Sequence, residues 1–256
     1  MLFFADVVGK PGRRAVAQAL PRLRAAHSPD LVIANGENSA GGIGINERCA
    51  TELFDAGIDA LTLGNHAFRQ RDSYELLDRE ERIVRPANYP MANPGRGHTI
   101  VEAAGRKVGL LNLSGSLQLT VARSPFHAVE AELAELERKG AEVVLVDFHA
   151  EVTSEKIAMG WHLDGRVAAV IGTHTHVPTA DARVLPGGTA FICDAGMCGS
   201  RQSVLGVNVA DVLRGFTTQM PTRFTTAEED VWVNAVSIEI GDDGHAVSIE
   251  QILEPV

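Results

Sequence analysis

The chain has 256 residues, of which 45% are hydrophobic, enough to bury the core of one large α/β unit. With 23 Lys and Arg against 33 Asp and Glu, its net charge of -10 disfavours long nucleic acids and anionic membranes as partners. The three cysteines, Cys49, Cys193 and Cys198, match no zinc-binding spacing and are typical of reduced thiols in a cytoplasmic protein. The apolar start reaches Asp6 too soon for a signal peptide, and no apolar run approaches the ~20 residues of a membrane span.

Short apolar runs alternate with amphipathic stretches along the chain, a pattern typical of α/β proteins. In the first third, the pattern predicts strands at 2–5, 31–34 and 59–63. It also predicts one helix that starts at Pro11 and a second helix that spans 47–56. The second strand runs into the polar, glycine-bounded loop 35–42. Segment 85–97 is rich in Pro, Asn and Gly, which predicts a surface loop.

In the remaining two thirds, one amphipathic stretch, 128–139, predicts a helix with Val129, Leu133 and Leu136 on one face. Strands are predicted at 99–103, 107–113, 143–146, 167–171, 182–185, 189–193, 231–240 and 246–251. No internal repeat or interdomain linker is visible. We therefore expect a single domain that spans residues 1–256.

Polar side chains follow several predicted strands at the point where each strand ends. They are Asp6, Glu37, Asn65, His149 and His174. In an open α/β sheet, ligands bind outside the carboxyl ends of the strands. Residues far apart in sequence are therefore expected to converge on one rim.

Two short motifs carry the strongest local signals. In Gly172-Thr173-His174-Thr175-His176, imidazoles at i and i+2 can face adjacent metal ions, and two core histidines there would be hard to satisfy. In Gly64-Asn65-His66, Asn65 either caps the following helix or donates its amide oxygen to a metal. Asp6 alone is equally typical of a turn, and Glu37-Asn38 of a solvated loop.

Taken together, the candidate ligands mix carboxylates, carboxamide oxygens and imidazoles. This mixture suits two hard-to-borderline divalent cations, and such a site indicates hydrolysis of phosphate esters. The seven candidates are Asp6, Glu37, Asn38, Asn65, His149, His174 and His176.

The order of these motifs resembles the calcineurin-like metallophosphoesterase superfamily, which usually shows Asp-x-His, Gly-Asp, Gly-Asn-His, a single His and Gly-His-x-His. This chain departs twice, because Val8 stands where the first-motif histidine is expected and Glu37-Asn38 replaces Gly-Asp. Both departures are similar to the bacterial branch of 2',3'-cyclic-nucleotide phosphodiesterases. Segments 9–13, 36–42, 147–160 and 165–181 also resemble that branch.

The resemblance implies an α/β fold of two packed β-sheets flanked by helices, the four-layer metallophosphoesterase sandwich. It implies that Asp6, Asn38 and His176 hold one metal, that Asn65, His149 and His174 hold the other, and that Glu37 bridges both. It also implies iron as the metal, with manganese as a possible replacement. The ligand set alone does not choose between them.

The resemblance further implies hydrolysis of small phosphodiesters such as 2',3'-cyclic AMP by a metal-activated hydroxide, with His66 as the acid beside the leaving group. Two alternatives stay open: a broad metal-dependent phosphomonoesterase or protein phosphatase, and a non-catalytic regulatory protein with a degenerate site. No groove for long nucleic acid is expected, and a homo-oligomer stays open. Three loop residues, Phe68, Arg69 and Tyr89, could contact a nucleoside, but the sequence does not rank them.

The basic turn Gly9-Lys10-Pro11-Gly12-Arg13-Arg14 has two interpretations. A helix N-terminus with basic neighbours can hold a phosphate, which would make this turn part of a substrate site. Its spacing does not match a phosphate-binding P-loop, so the plain start of a helix is the alternative.

Overall fold

The computed structural model describes residues 1–256, which form six helices and fourteen strands. The helices are α1 Gly9–His27, α2 Glu47–Asp55, α3 Ser73–Arg79, α4 Pro125–Arg138, α5 Thr153–Leu163 and α6 Val209–Thr218. The strands are β1 Leu2–Phe4, β2 Asp6–Val7, β3 Val32–Asn35, β4 Ala60–Thr62, β5 Ile83–Val84, β6 His98–Ala103, β7 Arg106–Ser114, β8 Val143–His149, β9 Ala169–Thr173, β10 Arg183–Val184, β11 Ala190–Ile192, β12 Met197–Ser200, β13 Val231–Ile240 and β14 Ala246–Pro255.

The strands form two mixed sheets. The first has the order β2-β12-β13-β1-β3-β4-β5, with β14 paired along β13. The second has the order β10-β11-β9-β8-β7-β6. Within each sheet the central strands are parallel (β1-β3-β4-β5 and β7-β8-β9-β11), so their carboxyl ends lie at one edge.

The two sheets pack face to face. Because successive residues of a strand point to opposite faces of its sheet, β1 contributes side chains to two apolar clusters. In β1, Phe3 faces the second sheet and packs with Leu145 and Ile192. Its neighbour Phe4 faces the other way and packs with α1 residues such as Leu20. On the far face of the second sheet, α4 and α5 cover a third apolar cluster. The layers are therefore helix, sheet, sheet and helix, which confirms the predicted fold class.

Most predicted strands and the helices α1, α2 and α4 are present. Helices α3, α5 and α6 were not predicted, and neither were the short strands β2, β5 and β12. In α5 the buried positions include Glu155 and Lys156. Its inward face therefore lacks the continuous apolar stripe by which an amphipathic helix is predicted. Helix α1 begins at Gly9, two residues before the predicted start at Pro11.

The prediction of a surface loop at 85–97 is wrong for its first half. Arg85 and Asn88 are 4% and 0% exposed, and both are held by hydrogen bonds to backbone carbonyls. Burial of these polar side chains is possible because nearby backbone carbonyls supply their partners. None of the six helices combines the length and apolar character that crossing a membrane requires.

Candidate metal centre

The structure brings all eight predicted site residues to the carboxyl ends of the central strands, as the sequence predicts. Asp6 follows β1, Glu37 and Asn38 follow β3, Asn65 and His66 follow β4, His149 ends β8, and His174 and His176 follow β9. Strands from both sheets contribute, so the centre lies where the two sheet edges meet.

One group of ligand atoms surrounds the ring nitrogen Nε2 of His149. The Oε1 atom of Glu37 and the Oδ1 atom of Asn65 each lie 3.0 Å from this nitrogen. The Nδ1 atom of His174 lies 3.1 Å from it. Glu37, His149 and His174 form a group with the spacing of metal ligands, in which all ligand atoms lie within 4.8 Å of one another.

A second group lies beside it and contains Asp6, Asn38 and His176. The Nε2 atom of His176 is 3.0 Å from the Asn38 amide nitrogen and 3.8 Å from Oδ1 of Asp6. The amide oxygen of Asn38 instead faces Nδ1 of His66 at 2.8 Å. A half-turn of this amide would direct its oxygen at the centre, as metal ligation requires.

The residues fit a metal on two structural grounds. The Oδ1 atom of Asp6 is buried and has no hydrogen-bond partner, which is costly for a carboxylate unless a cation compensates it. A Cβ atom on Gly64 would collide with the Glu37 carboxylate and the His149 ring, so only glycine leaves room for both. The centre is therefore built to crowd ligand atoms together.

Each of the three histidines uses one ring nitrogen for support and presents the other to the centre. His149 bonds through Nδ1 to the Thr173 hydroxyl at 2.8 Å, and that hydroxyl donates to Asp147 at 2.6 Å. His174 pairs through Nε2 with Glu151 at 3.0 Å, and His176 bonds through Nδ1 to a backbone carbonyl at 3.0 Å. Such outer contacts fix the tautomer and orientation of metal-binding imidazoles.

The turn that carries two of these histidines adopts an uncommon backbone conformation. His174 and His176 have φ angles of 105° and 65°, in the region that L-residues rarely adopt. Asp194 stabilises the turn because it accepts a hydrogen bond from the Thr175 amide at 3.0 Å. Asp194 is itself paired at 2.6 Å with Lys156, and both side chains are almost fully buried.

Burial and neighbouring charges set the protonation of the ligands. Burial raises the pKa of Asp6 to about 6 although His176 and His149 oppose the shift. Burial also opposes the ionisation of Glu37, but the charge and hydrogen bond of His149 hold its pKa at about 2. Burial lowers the pKa of His174 to about 3, and the charge of His149 adds to this effect. Glu37 is therefore an anion and His174 a neutral imidazole, the forms in which such side chains bind metals. Burial opposes the charge of His149, but Glu37 raises the pKa of this ring to about 9.

His66 occupies a different position from the three supported histidines. Its backbone amide donates to Glu37 at 3.0 Å, and its Nδ1 atom faces Asn38. Its side chain is 24% exposed, and its Nε2 atom pairs with no other residue. Burial lowers the His66 pKa, while the charge of Glu37 acts in the opposite direction. The free nitrogen is thus available to a ligand at the centre.

Sequence reasoning missed the residues that support the candidate ligands, which are Thr173, Asp194, Lys156 and Glu151. Asp147 lies two residues before His149 in sequence, yet its effect on that ring is indirect because Thr173 lies between them. The one available signal was Lys156 among the apolar residues of α5. Lys is rarely buried without a partner, so a lysine on a packed face predicts a buried acidic neighbour.

The basic turn at the start of α1 contacts the loop that carries Asn38, because the Gly9 amide donates to the Asn38 carbonyl at 2.9 Å. Arg13 is 5% exposed and pairs with Glu52 at 2.6 Å. This guanidinium is therefore not free to bind a phosphate, whereas Lys10 and Arg14 of the same turn are exposed.

The sequence of residues 2–252 matches a family model described as YmdB-like protein. The chain belongs to this family. A 2',3'-cyclic-nucleotide 2'-phosphodiesterase of Bacillus subtilis is 43% identical over 254 residues, which cover 99% of this chain and 96% of that protein. A putative phosphatase/phosphodiesterase of Mycoplasma genitalium is 36% identical over 98% of this chain and 92% of that protein.

Solved structures give the same placement. A hypothetical protein of Thermus thermophilus is similar with a TM-score of 0.93 and 41% identity, over 99% of this chain and 98% of that chain. A novel phosphatase of Mycoplasma pneumoniae has a TM-score of 0.92 and 33% identity, over 99% and 92%. A putative 5'-nucleotidase of Staphylococcus aureus shares the fold alone, with a TM-score of 0.61, 17% identity and coverage of 100% and 54%. The resemblance to the bacterial phosphodiesterase branch of the metallophosphoesterases is confirmed.

Proposed function

We propose that this member of the YmdB-like family is a dinuclear-metal phosphodiesterase that hydrolyses 2',3'-cyclic nucleotides such as 2',3'-cyclic AMP. The observation that carries the proposal is the convergence of carboxylate and imidazole ligand atoms around Glu37, with the Oδ1 atom of Asp6 buried and unpartnered. The 43% identity to the Bacillus subtilis 2',3'-cyclic-nucleotide 2'-phosphodiesterase supports the choice of substrate.

In this proposal the ligands fall into two sets that share one carboxylate. Asp6, Asn38 and His176 would hold one ion, Asn65, His149 and His174 would hold the other, and Glu37 would contact both. Cations held there would activate a water for attack on phosphorus and offset the charge of the phosphoryl oxygens. Iron is the proposed metal, with manganese as a replacement, because nitrogen and oxygen ligands accept both.

His66 is proposed as the acid that protonates the departing ribose oxygen. Its Nδ1 atom is held by Asn38 at 2.8 Å, which orients the ring. Its Nε2 atom makes no hydrogen bond and so can carry the proton. His66→Ala should lower turnover by about 10²–10⁴-fold while the metal content stays at the wild-type value. An equal loss of metal and activity would make His66 a ligand instead.

The proposed partner is a small phosphodiester rather than a long polyanion. A net charge of -10 repels nucleic acid at a distance, whereas a bound cation supplies local positive charge for one phosphate. Neither property distinguishes a cyclic diester from a monoester.

The deciding experiment strips the protein of metal, adds back manganese or ferrous iron, and measures hydrolysis of 2',3'-cyclic AMP. A simple monoester, 4-nitrophenyl phosphate, is run in parallel. Metal-dependent opening of the cyclic diester, at a rate well above that of the monoester, is the expected result. Hydrolysis of neither compound would favour the non-catalytic alternative.

Cleavage of the monoester alone is the outcome that would support the second candidate, a broad phosphomonoesterase. This candidate has a specific observation behind it. The Mycoplasma genitalium relative is named a putative phosphatase/phosphodiesterase, and the similar Mycoplasma pneumoniae structure is described as a phosphatase.

A further inference from the structure

A pocket of about 420 Å³ opens beside His176, at the edge of the candidate metal centre. Its volume lies within the ~300–1,000 Å³ of sites that bind small molecules. Most of its surface is apolar, with Met197, Leu205 and Trp232 among the walls, and its polar side chains are those of His176, Arg201, Ser203 and Asn234. This combination of apolar walls and a few polar groups is typical of a site for an organic ligand.

The pocket and the metal centre share a wall. His176 faces Asp6 and Asn38 through Nε2, and its Nδ1 atom donates to the carbonyl of Leu205 at 3.0 Å. Leu205 lines the pocket and has a φ of 54°, on a turn closed by mutual backbone hydrogen bonds between Val204 and Val207. One turn therefore orients a candidate ligand histidine and forms the pocket wall, so the pocket lies directly beside the centre.

The indole of Trp232 is held in place before any ligand arrives. Its Nε1 atom donates to the Asp230 carboxylate at 2.8 Å, so the polar atom of the ring is satisfied. The guanidinium of Arg201 lies 4.4 Å from the ring centroid, in the geometry of a cation–π contact. A fixed aromatic wall costs little entropy when a planar ligand packs against it.

Asn234 supplies the group that could recognise a polar edge. This residue is only 8% exposed, and its backbone carbonyl accepts from the Ala5 amide and the Cys198 thiol. Its side-chain amide lines the pocket and pairs with no other residue. An amide offers a donor and an acceptor side by side, which matches the adjacent donor and acceptor on a nucleobase edge such as that of adenine.

Other places for a base are less suitable. Near His66, Phe68 and Tyr89 lie with ring centroids 6.0 Å apart, and Tyr89 is buried, so these rings already pack on each other. A cavity of about 460 Å³ lined by Leu31 and Val143 lies at the amino ends of the strands, opposite the metal centre.

We propose that the pocket bounded by His176, Leu205, Trp232 and Asn234 binds the nucleobase of the substrate, with Asn234 pairing to its donor–acceptor edge. The inference rests on the proposed function, because the pocket shares His176 with the candidate metal centre and a 2',3'-cyclic nucleotide carries its base and its phosphate on one ribose. It assigns the residues that select a nucleotide over other small phosphodiesters.

The first test measures binding without metal or catalysis. A Trp161→Phe background leaves Trp232 as the only tryptophan, because the protein has two and Trp161 lies on α5, where it is 53% exposed. Adenosine should quench the Trp232 fluorescence of the metal-free protein, and methyl riboside should not. Adding Asn234→Ala should weaken the adenosine response about 10-fold.

The second test compares 2',3'-cyclic AMP with the 2,3-cyclic phosphate of methyl riboside, which has no base. In Trp232→Ala and Asn234→Ala, the ratio of kcat/KM for the nucleotide to kcat/KM for the base-free diester should fall about 10-fold, mainly through KM. Trp161→Phe is the matched control and should keep the wild-type ratio. Trp232→Phe should restore most of the ratio because it keeps an aromatic wall.

The outcomes separate the two proposals. If wild-type protein hydrolyses both cyclic phosphates and neither variant changes the ratio, the pocket assignment is overturned and the phosphodiesterase proposal stands. If wild-type protein hydrolyses neither, the proposed function fails, and the adenosine titration still decides the pocket. Absence of quenching by adenosine would overturn the pocket assignment in either case.

Discussion

Thr173→Val tests whether the support behind His149 sets the metal affinity of the centre. The substitution keeps the shape of the side chain and removes one hydroxyl, which lies between two fully buried groups. That hydroxyl is 2.8 Å from Nδ1 of His149 and 2.6 Å from Oδ1 of Asp147. Asp147 keeps its bonds from Thr62 and Asn35 through the other oxygen, so its packing should survive.

The magnitude follows from the two groups left without partners. A buried polar atom that loses its hydrogen bond costs about 1–3 kcal/mol, so two such atoms predict a loss of about 2–6 kcal/mol in the free energy of unfolding. Loss of an outer support for a ligand histidine typically reduces metal affinity by about 10–100-fold. The variant should therefore fold, unfold earlier, and bind metal more weakly.

Chelator competition with manganese gives the metal affinity, and denaturant titration of the metal-free protein gives the stability. Thr99→Val on β6 is the matched control, because this threonine makes no side-chain hydrogen bond and lies far from the centre. We expect the control to behave as wild type in both assays. Wild-type manganese affinity in Thr173→Val would refute the idea that Thr173 positions His149.

Three further predictions concern space, charge and thiol reactivity. Gly64→Ala should abolish metal binding, because the added methyl group would occupy the space of the Glu37 carboxylate, and metal analysis of the purified variant checks this. Lys156→Met should lower the free energy of unfolding by about 3–5 kcal/mol in urea titrations, because it leaves the Asp194 charge buried and unpaired. Burial raises the pKa of Cys198 to about 12, so at about pH 8 the thiol stays protonated and iodoacetamide should label it only after unfolding.

Each of these predictions has a control in the chain. Gly215→Ala lies on α6 in a spacious environment and should keep wild-type metal content. Adding Asp194→Asn to Lys156→Met should recover part of the lost stability, because no unpaired charge remains and an amide oxygen can still accept from Thr175. Labelling of folded protein at Cys198 at a rate comparable to a free thiol would contradict the pKa argument.

The convergence of the candidate ligands could be predicted from sequence because most of them follow apolar runs that form strands with neighbouring carboxyl ends. Asp6 and His149 are 0% exposed, and their neighbouring residues in the sequence do not predict this burial. The burial follows from the order of the strands in the two sheets. The supports could not be predicted, because Thr173 and Asp194 act across the fold on residues from other elements. Helix α5 was missed for the same reason, since its buried Lys156 becomes acceptable only beside Asp194.

The two departures from the superfamily motifs are structurally linked. At the position of the missing first-motif histidine, Val8 is 3% exposed and packs so closely on Gly206 that a Cβ atom there would lie 2.6 Å from a Val8 methyl group. A ring at position 8 would displace the turn whose Leu205 carbonyl holds His176. The amide of Asn38 lies 3.0 Å from that histidine, so Asn38 is close enough to share the proposed metal with it. Restoring a histidine at position 8 would therefore disturb the centre rather than complete it.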